Sequence, residues 1–275
     1  MSAAIVELVQ RRSLVPGFVE KAVAGSGRSV DGLRVVVTGA SAGIGREAAR
    51  QLSAAAAHVI AVARREDELA QLVDEIGGEY RTCDLADEAD IDRLLGELVE
   101  LKVDVLVNNA GRSIRRSILD STERLHDYQR TMSLNYFAAV QLSLGLLPGM
   151  VERGSGQIVN VCTWGLMANT FPRFSAYAAS KNALAIFGRS LNAEAPHPQV
   201  RATNVYFPLV RTEMISPTAE YDEVAALSAT EAGSWIVRAV THRPEQVSPA
   251  VLRAVLPVLD YLAPPLADRT MRSIT

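Results

Sequence analysis

Two side chains four residues apart, Tyr177 and Lys181 in "AYAASKNAL", are of types that can carry out proton transfer. The chain has 28 basic residues, yet only three are lysines, and one of the three follows a tyrosine by one helical turn. Residues at i and i+4 share a helix face, so the lysine charge would lower the tyrosine pKa from about 10. This pair predicts a general acid or base. The alternative is a surface tyrosine packed on a lysine stem.

A glycine-rich turn, "TGASAGIG" over 38–45, comes directly after an apolar run and opens a helix. Gly39 permits a tight turn, Gly43 lets backbone approach a pyrophosphate, and Gly45 lets the helix pack against a sheet. The helix N-terminus then attracts negative charge. Ordinary strand–helix turns also use glycine, but the strand–turn–helix context favours a dinucleotide site.

The second apolar run ends in "AVARRED", with Arg64 and Arg65 where an NAD enzyme usually has an acidic residue. A planar guanidinium binds phosphate through two hydrogen bonds, so these arginines favour NADP(H), which carries a 2′-phosphate. The alternative is that both belong to the solvated start of the next helix.

Apolar runs of strand length alternate with longer segments of helical period, which predicts a Rossmann-type doubly wound parallel sheet with helices on both faces. The predicted strands are 34–39, 58–63, 80–84, 103–109, 157–162 and 201–207. The predicted helices are 43–56, 66–76, 87–101, 121–151 and 174–195. No repeat or linker divides the chain, so residues 1–275 are expected to form a single domain.

Composition excludes several classes of function. The formal net charge is −3, so no overall basic field attracts nucleic acid. The four histidines are scattered, which argues against a metal site. Cys83 and Cys162 show no CxxC spacing, no cleavable signal peptide is evident, and no uninterrupted apolar run reaches the length of a membrane span. A cytoplasmic setting is therefore expected.

Taken in order, the glycine turn, "NNAG" at 108–111 and the Tyr-x-x-x-Lys pair resemble the short-chain dehydrogenase/reductase family over about residues 34–212. "NNAGRSIRRSI", "PRFSAYAASKNAL" and "PLVRTEMISPT" are more narrowly similar to the reductase domain of bacterial fatty acyl-CoA reductases and related short-chain enzymes.

The resemblance implies roles for further residues. Asn135 would be a catalytic asparagine that supports a proton-relay water, and Lys181 would also hold the nicotinamide ribose. The coenzyme would also contact Tyr177 and residues of four motifs. These are Ser41 and Ile44 in the glycine turn, Asp84 and Leu85 in "CDLAD", Asn109, Ala110 and Gly111 in "NNAG", and Pro208, Val210 and Thr212 in "FPLVRT".

The chain departs from the family pattern at two positions. The family usually places a serine about 13 residues before the tyrosine, whereas this chain has Thr163, 14 residues before it, with Cys162 alongside. A threonine hydroxyl can donate the same hydrogen bond, so Thr163 is expected to take the role. Where the family often has Pro-Gly, this chain reads "FPLVRT", which predicts an altered turn after the sixth strand.

Residues 211–242 lie where such folds carry a substrate lid. "EMISPTAEYDEVAAL" supplies apolar side chains and no lysine or arginine, which favours an apolar ligand over a small anion. The alternative is a helix packed on the core. Arg115 and Arg116 in "IRRSI" could meet the phosphates of an acyl carrier, although a solvated loop is the favoured interpretation.

Both ends of the chain are predicted to add helical segments, an N-terminal extension over 1–32 and a tail over 248–275. Each combines apolar stripes with arginines and could contact a membrane or an acyl chain. Packing on the core and a dimer interface are the favoured alternatives.

The prediction is therefore an NADPH-dependent reductase of an apolar, fatty-acyl-derived aldehyde or ketone, and a homodimer or homotetramer by resemblance. A non-catalytic NADP(H)-binding sensor or scaffold is the alternative. Full reduction of acyl thioesters is a third possibility, discounted here because the short N-terminal segment leaves no room for the separate domain expected of bifunctional enzymes.

Overall fold

A computed structural model describes residues 27–214 and 225–274 of the chain. Seven parallel strands form one sheet in the order β3-β2-β1-β4-β5-β6-β9. Its strands are β1 Arg34–Thr38, β2 His58–Ala63, β3 Glu79–Thr82, β4 Val105–Asn108, β5 Gly156–Thr163, β6 Val200–Phe207 and β9 Gln246–Val247. The predicted Rossmann-type fold and all six predicted strands are confirmed. The seventh strand was missed because two residues carry no periodicity.

The described residues contain nine α-helices, of which seven come before the last strand of the sheet and two follow it. They are α1 Gly43–Ala54, α2 Glu66–Ile76, α3 Glu88–Glu100, α4 Leu125–Met132, α5 Ala138–Glu152, α6 Ser175–Glu194, α7 Ala229–His242, α8 Ala250–Leu262 and α9 Pro264–Ile274. Side chains determine where two of them begin. Asp87 accepts hydrogen bonds from the first backbone N–H groups of α3, and Ser228 forms a capping box with Glu231 at the start of α7.

Alternate residues of the central strands enter two cores, one on each face of the sheet. Val35 and Val37 of β1 pack in a core with residues of α1, α2 and α7, whereas Val36 packs in a second core with residues of α3 and α5. Because both faces are covered, the strands read as continuous apolar runs rather than as alternating ones.

The segment predicted as one helix over 121–151 is more complex. A 3₁₀ turn occupies Leu119–Ser121, α4 begins at Leu125, and a π-helical turn at Ser133–Phe137 joins α4 to α5. The helix α4, the π-helical turn and α5 form one continuous helix, Leu125–Glu152. By length and composition alone it is long and apolar enough to cross a membrane. Leu142, Leu146 and Met150 of this helix are buried in the second core, as in a helix packed on a sheet.

The predicted lid region 211–242 divides into two parts. Its second part is α7, whose Trp235 and Ile236 are buried in the first core, so 229–242 is a core helix and not a lid. Short strands β7, Val210–Arg211, and β8, Leu227–Ser228, pair with each other. Residues 215–224 between them lie outside the described residues, as does most of the N-terminal extension, residues 1–26.

The tail predicted over 248–275 forms α8 and α9. Leu252, Leu256 and Met271 bury against the end of β5 and the turn that follows it. Val258 and Tyr261 on the outer side of α8 are exposed. Packing on the core, one of the favoured alternatives, therefore accounts for one face of this tail.

Helix α6 lies close against the sheet because of a glycine. Asn108, Asn160 and Asn204 occupy matching positions on β4, β5 and β6, and their buried side-chain amides are hydrogen-bonded in a row at 3.0 and 3.1 Å. Gly188 of α6 lies directly over this row, because a Cβ there would be 2.5 Å from Asn204 Oδ1.

Gly188→Ala is expected to lower the free energy of unfolding by about 2–3 kcal/mol, since the added methyl would force α6 away from buried, hydrogen-bonded amides. Gly96→Ala is the matched control, because Gly96 is also in a helix and its Cβ would have open space. That variant is expected to gain about 0.5–1 kcal/mol. Urea denaturation measures both, and equal effects in the two variants would contradict the role given to Gly188.

Candidate active site

The glycine turn and the "NNAG" segment are joined by a buried hydroxyl. Thr38 Oγ1 accepts hydrogen bonds from the backbone N–H groups of Asn109 and Ala110, each at 3.0 Å, and donates to the Val107 carbonyl. Asn109 Nδ2 donates back to the Thr38 carbonyl at 2.8 Å. A Cβ on Gly39 would be 2.9 Å from the Ala110 Cα. The two predicted coenzyme segments therefore form one surface at the carboxyl ends of β1 and β4.

The turn has the backbone conformation that a pyrophosphate cradle needs. Gly39 and Gly43 have φ values of +67° and +55°, which favour glycine. Gly45 lies so near the Gly39 carbonyl and Asn109 Nδ2 that a Cβ there would overlap both. Thr212 lies against Gly43, 3.2 Å from the position of a Cβ. The residues at this turn therefore fit a dinucleotide whose pyrophosphate approaches the N-terminus of α1.

Arg65 and Ser41 converge beside the end of β2. Arg65 Nη2 donates to Ser41 Oγ at 3.2 Å, and Arg65 also pairs with Glu213 at 3.7 Å. Arg64 is more exposed and lies 4.0 Å from Asp84. Arg65 and Ser41 thus place a guanidinium and a hydroxyl together at the end of β2, and Glu68 and Glu213 place two carboxylates at the same point.

Several residues predicted to contact the coenzyme contribute their side chains to the core instead. Leu85 and Val210 are buried in the two cores, and Ile44 packs against the first core. Pro208 is buried after β6. A role for these residues in coenzyme binding would have to come from their backbone or from the shape they give the site.

Asn135 is held at the π-helical turn, with 1% of its surface exposed. Its Oδ1 accepts from the Arg112 N–H at 2.8 Å, and its Nδ2 donates to the Arg112 carbonyl and to Ser180 Oγ at 2.9 and 3.0 Å. Through Asn135, these bonds connect Arg112, which follows "NNAG", to Ser180 of α6, the residue before Lys181.

The other three predicted catalytic residues meet where β5 ends against α6. Tyr177 and Lys181 are on α6, and the Thr163 side chain, last in β5, hydrogen-bonds to Tyr177. Asn135 Oδ1 and Lys181 Nζ both face Gly111, 3.1 and 3.3 Å from the position of a Cβ there. The structure therefore places Asn135 and Lys181 at Gly111, and Thr163 against Tyr177 on the same helix as Lys181.

Burial controls the ionisation of this group. Burial raises the pKa of Tyr177, and the hydrogen bond with Thr163 opposes that rise. The sequence predicted that Lys181 lowers the pKa of Tyr177, and that prediction was wrong for the protein without ligand. Burial also lowers the pKa of Lys181 to about 8 and raises the pKa of the Cys162 thiol to about 12. Tyr177 is therefore a protonated acid at neutral pH, and Cys162 is a neutral thiol.

Two cavities adjoin these residues. One, of about 490 Å³, is lined by Gly111, Arg112, Arg130, Glu213 and Met214 among others. The second, of about 360 Å³, includes Leu166, Phe171 and Ala178 in its lining. Neighbouring aromatic rings lead from Tyr177 through Phe174 to Phe171, with centroids 6.4 and 4.9 Å apart. A row of aromatic rings, with Phe174 buried at its centre, thus connects the tyrosine to Phe171 in the wall of the second cavity.

Sequence reasoning missed three residues of this site. Thr38 and Ser180 are buried hydroxyls that hold the predicted residues in place, and Glu213 pairs with Arg65. Thr38 could have been suspected because it directly precedes Gly39, and Ser180 because it directly precedes Lys181. Nothing in the sequence indicates that Glu213 lies beside Arg65, 148 positions earlier.

Comparison with known proteins gives a consistent result. A family model described as short chain dehydrogenase matches residues 34–223. A protein of Mycobacterium tuberculosis named fatty acyl-CoA reductase is 46% identical over 88% of this chain and 84% of its own length. A protein of the same name from Acinetobacter baylyi is 44% identical over 90% of this chain and 85% of its own length. A solved structure titled as the closed form of serine dehydrogenase complexed with NADP+ is similar with a TM-score of 0.70, at 27% identity over 78% of this chain and 93% of that one.

These lengths remove one argument made from the sequence. Thioester reduction was discounted because a separate domain was expected, but the matches cover 84% and 85% of two relatives named fatty acyl-CoA reductase. Proteins of that name thus exist at about the length of this chain.

The pKa of Lys181 predicts a pH profile. Below pH 8 the lysine is charged, and as the pH rises through about 8 it loses its proton, so kcat/KM for the nicotinamide coenzyme is expected to fall about tenfold per pH unit above that value. Steady-state rates of reduction from pH 6 to 10 measure this. Lys181→Arg keeps its charge and should show no fall near pH 8, although its rate is lower because the guanidinium has a different shape. A flat profile to pH 9.5 in the native protein would contradict the prediction.

Proposed function

Because the chain belongs to the short chain dehydrogenase family, we propose that it is an NADPH-dependent reductase of the carbonyl group of an apolar, fatty-acyl-derived substrate. One observation carries the proposal: Asn135 and Lys181 face Gly111 at the carboxyl edge of the sheet, and Tyr177, one helical turn from Lys181, is hydrogen-bonded to Thr163 at the end of β5. In open α/β sheets, ligands bind at this edge.

A bound nicotinamide coenzyme would supply hydride to the substrate carbonyl carbon. Thr163 donates a hydrogen bond to the carbonyl oxygen, which helps to stabilise the developing alkoxide. Tyr177, which is protonated at neutral pH, gives its proton to that oxygen. Lys181 binds the ribose and contributes positive charge, while Asn135 holds the backbone at Arg112 and a water through which protons are replaced.

Arg65 and Ser41 are proposed to bind the 2′-phosphate of NADPH, with Arg64 beside them. The phosphate would compete with Glu68 and Glu213, the two carboxylates that pair with Arg65 at 3.2 and 3.7 Å. Asp84, Asn109, Ala110 and Thr212 would complete the coenzyme site along the same edge of the sheet. A solved relative in complex with NADP+ supports this coenzyme class.

The apolar substrate is supported by the aromatic rings that lead away from Tyr177 and by two relatives named fatty acyl-CoA reductase. Those names also make an acyl thioester a candidate substrate beside a long-chain aldehyde or ketone. Residues 211–214, with Met214 in the larger cavity, would begin the lid. The sensor or scaffold alternative requires that NADPH bind with no turnover.

The setting of the protein is a proposal as well. We place it in the cytoplasm as a homodimer or homotetramer, with no role in nucleic-acid binding. Val255, Val258, Tyr261, Leu262 and Leu266 are exposed apolar residues of the C-terminal tail, and they are the surface through which peripheral contact with a membrane would occur.

Tyr177→Phe is expected to lower the rate of NADPH oxidation with long-chain aldehydes or acyl thioesters at least about 100-fold, because the proton donor is lost. NADPH binding, measured by fluorescence, should be retained, since the ring still fills its place. Thr163→Val should also lower the rate, and Thr163→Ser should restore it. Native protein that binds NADPH and reduces no carbonyl substrate would instead support the sensor alternative.

The double variant Arg64→Gln and Arg65→Gln is expected to raise KM for NADPH about 10- to 100-fold, because charge-assisted hydrogen bonds to the 2′-phosphate are lost. KM for NADH should change little, since NADH lacks that phosphate. Initial rates with both coenzymes measure the effect. Equal catalytic efficiency of the native protein with NADPH and NADH would contradict the proposed coenzyme preference.

A further inference from the structure

One buried carboxylate gathers several guanidinium groups beside the larger cavity. Asp127 on α4 is only 4% exposed, and it pairs with Arg124 and Arg130 at 2.8 Å and with Arg116 at 3.5 Å. These ion pairs hold the pKa of Asp127 at about 2. We call Arg116, Arg124 and Arg130 the arginine cluster.

The arginine cluster has more positive charge than its carboxylate neutralises. Three guanidinium groups share one aspartate, which leaves a net charge of +2 if His126, 3.3 Å from Asp127, is neutral. Residues 112–130 contain five arginines and three acidic residues, a balance of +2 in a chain whose total is −3. This basic segment is thus a local exception in an acidic protein.

Asp127 fixes the positions of the three arginine side chains, but each of them remains partly exposed to solvent. Their exposed fractions are 37% for Arg116, 39% for Arg124 and 54% for Arg130, whereas Asp127 is buried beneath them. Each guanidinium has five N–H donors. Arg124 uses two of them and Arg130 one in hydrogen bonds to Asp127, whereas Arg116 is held by an ion pair only. Asp127 therefore restricts the arginines from below while donors remain on their outer edges.

The arginine cluster adjoins the candidate active site. Arg130 lines the cavity of about 490 Å³ together with Arg112 and Gly111. Gly111 is the residue that Asn135 and Lys181 face. A substrate with its carbonyl at Tyr177 could therefore place its non-reacting end at the cluster, where binding energy can orient it.

We propose that the arginine cluster binds the phosphate groups of coenzyme A, and that the substrate is an acyl thioester of this carrier rather than a free aldehyde. Guanidinium forks match phosphate oxygens in geometry and charge. Three arginines held at one spot suit a compact polyanion, whereas an acidic carrier protein would bury about 800 Å² on each partner and need a wider basic surface. The inference rests on the proposed reductase function.

The chemistry of this substrate balances with the coenzyme already proposed. The thioester carbonyl carbon accepts one hydride, the carbon–sulfur bond breaks, and sulfur leaves with the electron pair and takes one proton. The products are an aldehyde, the free thiol of coenzyme A and oxidised coenzyme. The thiol end of the carrier is released at the reaction centre while its phosphates lie at the arginine cluster.

The first test is binding of coenzyme A to the full-length protein by calorimetry, which needs no turnover. Arg124→Gln and Arg116→Gln should each weaken binding about 10- to 100-fold, and the native affinity should fall as salt is raised. Arg50→Gln is the matched control: its side chain is also 39% exposed and is also paired with carboxylates, Glu47 and Glu75, but it lies on α1. Circular dichroism checks that all variants fold.

The second test compares palmitoyl-coenzyme A with the N-acetylcysteamine thioester of the same acid, which has no phosphates. Arg124→Gln should raise the KM ratio of the first substrate to the second at least about tenfold. Coenzyme A that does not bind, or that binds equally to native and Arg124→Gln protein, overturns the inference. Turnover only with an acyl group on an acidic carrier protein overturns it too.

Failure of the inference and failure of the proposed function give different results. Native protein that reduces long-chain aldehydes but neither binds nor discriminates coenzyme A retains the proposed function and overturns the inference. Coenzyme A binding that depends on Arg124, with no reduction of any carbonyl, supports the arginine cluster as a phosphate site and overturns the proposed function.

Discussion

The close packing of α6 on β5 and β6 is the constraint on which the candidate site depends. The row of buried amides from Asn108 to Asn204 ties three strands together through their side chains, and Gly188 lets α6 approach this row. Because α6 carries Tyr177 and Lys181 and β5 ends in Thr163, the spacing of helix and strand determines whether the tyrosine and threonine hydroxyls can meet. A polar core and a catalytic geometry thus depend on the same contact.

Burial at this contact also determines the charges of the reacting groups. Lys181 is only 3% exposed, and the Cys162 Sγ lies 3.8 Å from its carbonyl oxygen. Removing water disfavours a charged lysine and a charged tyrosine, so the pKa of one falls and that of the other rises. The result is a neutral phenol beside a lysine that titrates near physiological pH, which suits donation of a proton.

Charge is distributed unevenly around the site. The chain is acidic overall, but residues 112–130 are basic, and Asp127 holds three of their arginines in one place. Arg64, Arg112 and Arg130 line the larger cavity, and Arg65, next to Arg64 in the chain, is paired with Glu68 and Glu213. The site therefore combines several arginines with a row of aromatic rings next to Tyr177.

The sequence by itself determined the fold class and six of the seven strands of the sheet, because apolar runs and a glycine turn depend on local geometry that residue types specify directly. It also indicated Tyr177, Lys181 and Asn135, since a resemblance over ordered motifs carries such positions. Which of these predicted residues meet was decided by tertiary packing: Asn135 at a π-helical turn, Thr163 against Tyr177, and Leu85 and Val210 in the core.

Helix α7 and Glu213 show why the remainder could not be predicted. An apolar helical stripe has the same pattern whether it covers a substrate or a core, so the sequence could not distinguish a lid from α7. The direction of the Tyr177 pKa shift, the pairing of Glu213 with Arg65 and the gathering of arginines on Asp127 all depend on distances between residues far apart in the chain, or on burial. Those quantities exist only once the chain has folded.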